Sequence, residues 1–66
     1  MSQITLAAAR VNARLSQKYV ADVLGVSTST VRNWENGSTF PKQPMIEKMC
    51  ELYGVTYNQI DFEPRK

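Results

Sequence analysis

A chain of 66 residues, 42% of them hydrophobic and 21% charged, makes one domain that buries only about 60% of its unfolded surface, which leaves no room for a large catalytic cleft. One cysteine and no histidine exclude an intrachain disulfide and a zinc cluster, the usual staples of small folds. The net charge of +2 is modest, but Arg10, Arg14, Lys18, Arg32 and Lys42 outweigh Asp22 and Glu35 in residues 1–44, whereas Glu47, Glu51, Asp61 and Glu63 outweigh Lys48 in residues 45–64, so any attraction to a polyanion belongs to the first part of the chain.

Residues 1–4 read as a short lead-in, and Thr5 or Ser2 is placed to cap a first helix running to about Ala13. On that helix Leu6, Ala9, Arg10 and Ala13 fall at i, i+3, i+4 and i+7. A charge therefore sits on the inward stripe. Residues 17–35, QKYVADVLGVSTSTVRNWE, are the most informative stretch. Val20 and Leu24 share a face of one short helix, and Val31, Trp34 and Glu35 share a face of the next. Gly25 between them accepts the positive φ of a helix end, Ser27 can cap the second helix, and Ala21 is small where the axes cross. This is the pattern of a helix-turn-helix, whose second helix enters the major groove in DNA-binding proteins. Arg10 and Glu35 lie on two inward stripes with opposite charges. They are expected to pair, in preference to each snorkelling its head to water.

Ser16 suits the cap of the second helix, with Gln17 and Lys18 in its first turn. Free N–H groups there can grip a backbone phosphate, a role compatible with simple capping and a solvated lysine. Thr28, Ser29, Arg32 and Asn33 are turned away from Val31 and Trp34 and are the base-reading candidates. Arginine matches guanine O6 and N7, asparagine matches adenine, and a threonine methyl packs on that of thymine. On a helix outside this motif the same four would be an ordinary solvated face.

Asn36 and Gly37 close the helix, and a polar loop follows over 38–43, in which Phe40 is expected to pack on the core. Pro44 fits the first turn of the next helix. That helix carries Ile46, Met49, Cys50 and Tyr53 as its expected core stripe and ends at Gly54. Thr56 and Gln59 are spaced as a capping box for a last short helix with Ile60 turned inward. Val55, Tyr57 and Phe62 form an apolar cluster that either covers a thin core or meets a partner. Residues 1–62 read as the domain and 63–66 as a flexible tail. There is no leader pattern and no apolar run near the roughly 18 residues of a membrane helix, so a cytoplasmic protein is expected.

Arg10, the LSQ at 15–17, Ala21, the LGVS at 24–27, the WENG at 34–37, Pro41 and the YGV at 53–55 recur together. With them the chain resembles the Cro and repressor class of phage helix-turn-helix regulators, the Xre family, over nearly its whole length. The resemblance implies an all-α, compact bundle of about five helices of the lambda-repressor-like type. It implies binding to double-stranded DNA as a homodimer, at a short operator of twofold symmetry, inside a bacterial cell and with a phage or prophage origin. It also implies a partly buried Arg10–Glu35 salt bridge. Base contact falls above all to Ser29 and Asn33, with Arg32 open between base and phosphate. The loop would run beside the sugar-phosphate backbone, which makes Asn36, Ser38, Thr39 and Lys42 phosphate contacts. Dimerisation would fall at the end of the bundle, on Val55, Tyr57 and Phe62.

Arg14 departs from that pattern, because family members often have glycine there. Arginine disfavours positive φ. Either the turn is built differently or some strain is tolerated beside a phosphate, with a plain solvated arginine as the simpler alternative. The expected function is a sequence-specific transcriptional regulator without cofactor, metal or membrane. An enzyme would need a nucleophile beside a base, and no such set is apparent. The alternative is an antitoxin that keeps this DNA-binding fold while masking a toxin; a toxin or an antirepressor would then be a protein partner.

Overall fold

The computed structural model describes residues 3–62; Ser2 and the tail expected at 63–66 lie outside them. A short strand β1 (Ile4–Thr5) leads into α1 (Leu6–Asn12), α2 (Gln17–Leu24), α3 (Thr28–Asn36) and α4 (Gln43–Tyr53), followed by a 3₁₀ turn (Tyr57–Gln59) and strand β2 (Ile60–Asp61). The helix starts are chemically specified. Thr5 Oγ1 accepts the Ala8 N–H at 3.0 Å, Ser16 Oγ that of Tyr19 at 3.0 Å, and Ser27 Oγ that of Thr30 at 3.1 Å, each satisfying a donor the helix itself cannot. The α4 start has no side-chain cap at Lys42 and relies on Pro44 in its first turn.

Between α2 and α3, Gly25 adopts φ 74°, and the Val26 N–H reaches back to the Ala21 carbonyl at 2.9 Å. This closure turns the chain sharply. Val20 and Val31 are fully buried and Ala21 is 1% exposed, so the two helices of the motif share the densest part of the core. Leu6 and Ala9 of α1, Leu24 of α2, Met49 and Tyr53 of α4, and Ile60 complete it.

Three expectations are corrected. The last helix, for which Thr56 and Gln59 were the start signal, is only the 3₁₀ turn. Gln59 Oε1 does accept the Thr56 N–H at 2.8 Å, yet the chain then extends, and β2 pairs in parallel with β1, Ile4 opposite Ile60 and Thr5 opposite Asp61. Gln3 Nε2 adds bonds to the carbonyls of Asn58 at 3.0 Å and Ile60 at 3.3 Å. A cap signal starts a helix without fixing its length, and here a pairing across 56 residues competes with a helix too short to stand alone. The fold is therefore helical with four α-helices and a small two-stranded tie.

The second correction concerns α4. Met49 and Tyr53 are buried as expected, but Met45 and Leu52 pack against the core while Ile46 and Cys50 stay half-buried on its flank. The third is Phe40, which is 51% exposed. It walls a hollow of about 30 Å³ together with Trp34 and Phe62, and Pro41 is the loop residue that is buried.

Candidate nucleic-acid interface

The expected Arg10–Glu35 pair is present. Arg10 Nε donates to Glu35 Oε2 at 2.7 Å and Nη2 to Oε1 at 3.4 Å, with side chains only 14% and 6% exposed. Arg10 Nη1 also donates to the Leu15 carbonyl at 2.7 Å. The bond to Glu35 holds the guanidinium charged more firmly than an ordinary arginine, against the opposing effect of burial. Gln17, expected at a phosphate, instead donates from Nε2 to Glu35 Oε1 at 2.8 Å. That bond uses one of the two amide hydrogens, so the other, with the backbone N–H at the start of α2, remains for an anion. Glu35 of α3 thus receives donors from both α1 and α2. A single carboxylate therefore ties α3 to the other two helices.

Held in this way, α3 buries Val31, half-buries Trp34 and Glu35, and exposes Ser29, Arg32 and Asn33. Thr28 is half-buried at the helix start. Ser29 Oγ lies 3.3 Å from Ser27 Oγ, and the Thr30 hydroxyl lies 2.8 Å from the same atom, so the cap orders the first turn of the exposed face. Arg32 and Asn33 side chains have no partner among the described residues and remain available to a ligand.

The proposed phosphate residues flank that face in the sequence. Ser16 and Lys18 are exposed at the start of α2. Lys18 Nζ meets Asp22 Oδ2 at 3.3 Å, with both side chains mostly in water, and an exposed pair of this kind contributes too little to withhold the lysine from a phosphate. Beyond α3 the N–H groups of Ser38 and Thr39 return to the Asn33 carbonyl at 3.0 and 3.4 Å. The loop is therefore anchored to α3, and Asn36, Ser38, Thr39 and Lys42 are all exposed.

Tyr53 was read from the sequence as plain core, and its polar end is a further feature of this region. It is 7% exposed, and its hydroxyl has no hydrogen-bond partner among the described residues. Burial, then the negative charge of Glu35, pushes its pKa up to about 12, with Arg10 opposing. Because the folded chain holds this proton more tightly than the unfolded chain, stability is expected to fall as pH rises from about 10 to about 12. Tyr53→Phe should flatten that decline and leave neutral-pH stability unchanged or higher, since it deletes an unpaired buried polar atom. Thermal midpoints of both proteins across that pH range check this; parallel curves would contradict it.

Of the expected dimer residues, Val55 and Phe62 pack against the core. Tyr57 is 54% exposed and stacks on Phe62 with centroids 5.3 Å apart. Val55 and Tyr57 also border an open groove along α4, with Ile46, Cys50, Glu47 and Glu51. Part of the apolar cluster is therefore core cover, and part remains at the surface.

Among the described residues no group of three or more potential ligands is arranged to hold a metal ion, and no helix is long and apolar enough to cross a membrane. A family model described as helix-turn-helix matches residues 6–60. The chain is similar to the cryptic phage CTXphi transcriptional repressor RstR of Vibrio cholerae, 39% identical over 46 residues, which cover 70% of this chain and 41% of that protein. The chain thus matches less than half the length of that relative. No solved structure matches it.

Proposed function

This chain belongs to the helix-turn-helix family of Cro- and repressor-type regulators, and on that premise we propose that it is a sequence-specific, DNA-binding transcriptional regulator. It docks α3 in the major groove of a short operator with twofold symmetry and binds as a homodimer. The observation that carries this reading is the division of α3. One side is fixed to α1 and α2 through Glu35, and the other exposes Ser29, Arg32 and Asn33 with donor and acceptor groups matched to base edges.

Thr28 completes the reading face through its methyl group. Phosphates are held by Ser16, the Gln17 backbone N–H and Lys18 on one side, and by Asn36, Ser38, Thr39 and Lys42 on the other. Such contacts fix register and carry most of the salt-dependent affinity. Tyr57, with Val55 and Phe62, supplies the apolar contact between the two copies.

Selection of bound sites from random duplex DNA tests this. An inverted repeat is expected, with half-site centres roughly 10 to 10.5 bp apart, because a twofold dimer must present both recognition helices to one side of the duplex. Direct repeats alone would refute the symmetric dimer, and the absence of any enriched motif would refute sequence-specific binding.

A further inference from the structure

All four α-helices end in the same closure. The N–H that follows the turn residue returns to a carbonyl five residues back, as Leu15 to Arg10 at 3.2 Å, Val26 to Ala21 at 2.9 Å, Ser38 to Asn33 at 3.0 Å and Val55 to Cys50 at 3.0 Å. Each closure requires one residue in the left-handed region. At three ends that residue is glycine: Gly25 at φ 74°, Gly37 at 81° and Gly54 at 71°. At the fourth it is Arg14, at φ 63°. The turn is thus built in the glycine manner, with a residue that finds this conformation costly.

The backbone closure fixes the turn, but the arginine side chain contributes nothing to it among the described residues. Arg14 is exposed, and its side chain has no ion pair or hydrogen bond among the described residues. Its backbone is held rigidly all the same, because the next carbonyl, that of Leu15, accepts from Arg10, whose guanidinium is bound to Glu35 of α3. The position of Arg14 is therefore tied to that of the recognition helix. The closure accounts for the turn but not for arginine where the other three helix ends have glycine; an outlier at an exposed, unpaired cation points outward to a ligand, and a guanidinium suits an anionic oxygen.

We propose that Arg14 is a further DNA-contacting residue, which grips a backbone phosphate beside the one held at Ser16 and Lys18, and that the chain retains a strained turn to present it. This rests on the DNA-binding reading above and adds a contact to it. As a phosphate contact it carries no sequence preference.

The test uses the full chain and a duplex bearing the selected site, beside a random duplex, at several salt concentrations. Arg14→Gly is expected to raise the thermal midpoint by a few degrees. It should also weaken binding to both duplexes roughly 3- to 10-fold near 0.1 M salt and shrink the slope of log affinity against log salt by about one unit. Arg14→Ala should lose the same affinity without the rise in midpoint, and Arg14→Lys should retain most of the slope. Parent-like affinity and slope in both Arg14→Gly and Arg14→Ala would overturn the proposal while leaving the DNA-binding reading intact. A parent chain that binds neither duplex would overturn that reading and this contact together.

Discussion

Glu35→Ala is expected to lower the thermal midpoint by more than about 12 °C and to weaken binding to duplex DNA. The carboxylate is 6% exposed and accepts three hydrogen bonds, two from Arg10 and one from Gln17. Alanine leaves Arg10 largely buried, with only the Leu15 carbonyl as a partner. Removing one member of a buried pair costs roughly 3 to 5 kcal/mol, chiefly because the other charge stays desolvated. Small domains have a total stability of only about 5 kcal/mol or somewhat more, so the loss is a large share. Replacing both members with apolar residues, Arg10→Met with Glu35→Leu, should recover much of the midpoint, since no uncompensated charge remains. Affinity should be compared at a temperature where circular dichroism shows the variant folded, so that lost binding reports misplacement of α3. A midpoint equal to the parent's would show that the pair contributes little to the fold.

Asn33→Ala is expected to weaken binding to the selected operator by roughly 1 to 3 kcal/mol and binding to random duplex by very little. Asn33 is exposed on α3, opposite the fully buried Val31, so its removal deletes an amide from the reading face without opening the core. Lys42→Ala should behave differently. Lys42 is exposed at the start of α4 and makes no capping bond, so its loss should lower affinity for both duplexes and reduce the salt slope by about one unit. Binding isotherms for the two variants on both duplexes at several salt concentrations separate reading from holding. Equal losses on both duplexes for Asn33→Ala would move that residue to the phosphate class. Selective loss for Lys42→Ala would place its loop in a groove.

The amino-acid sequence by itself determined where α2 and α3 begin and where the chain turns between them, because capping is short-range chemistry. Ser16 and Ser27 each bond to an N–H three residues on, and Gly25 needs no distant partner to adopt positive φ. The inward stripes of α1, α2 and α3 were legible for a similar reason, since a period of 3.6 residues fixes which side chains share a face. Arg10 and Glu35 could be paired because each stood on such a stripe, and the family resemblance supported the pairing. The polar face of α3 was legible as whatever those stripes left outside.

Only the tertiary structure decided the rest. Gln17 joins Glu35 across 18 residues, and no spacing within α2 records that an acceptor on α3 will lie beside it. Periodicity placed Ile46 and Cys50 in the core, but the rotation of α4 was set by what α1 and α2 present to it, and this favoured Met45 and Leu52. Thr56 and Gln59 announced a helix that ended after one 3₁₀ turn, because Ile60 found Ile4 as a strand partner. Arg14 shows the division most clearly. Its residue type argued against a left-handed turn, and the turn formed around it, because Leu15 must return its N–H to Arg10 and offer its carbonyl to the guanidinium that holds Glu35. Local preference was overridden where the Leu15 backbone bonds twice to Arg10, which in turn holds Glu35 of α3.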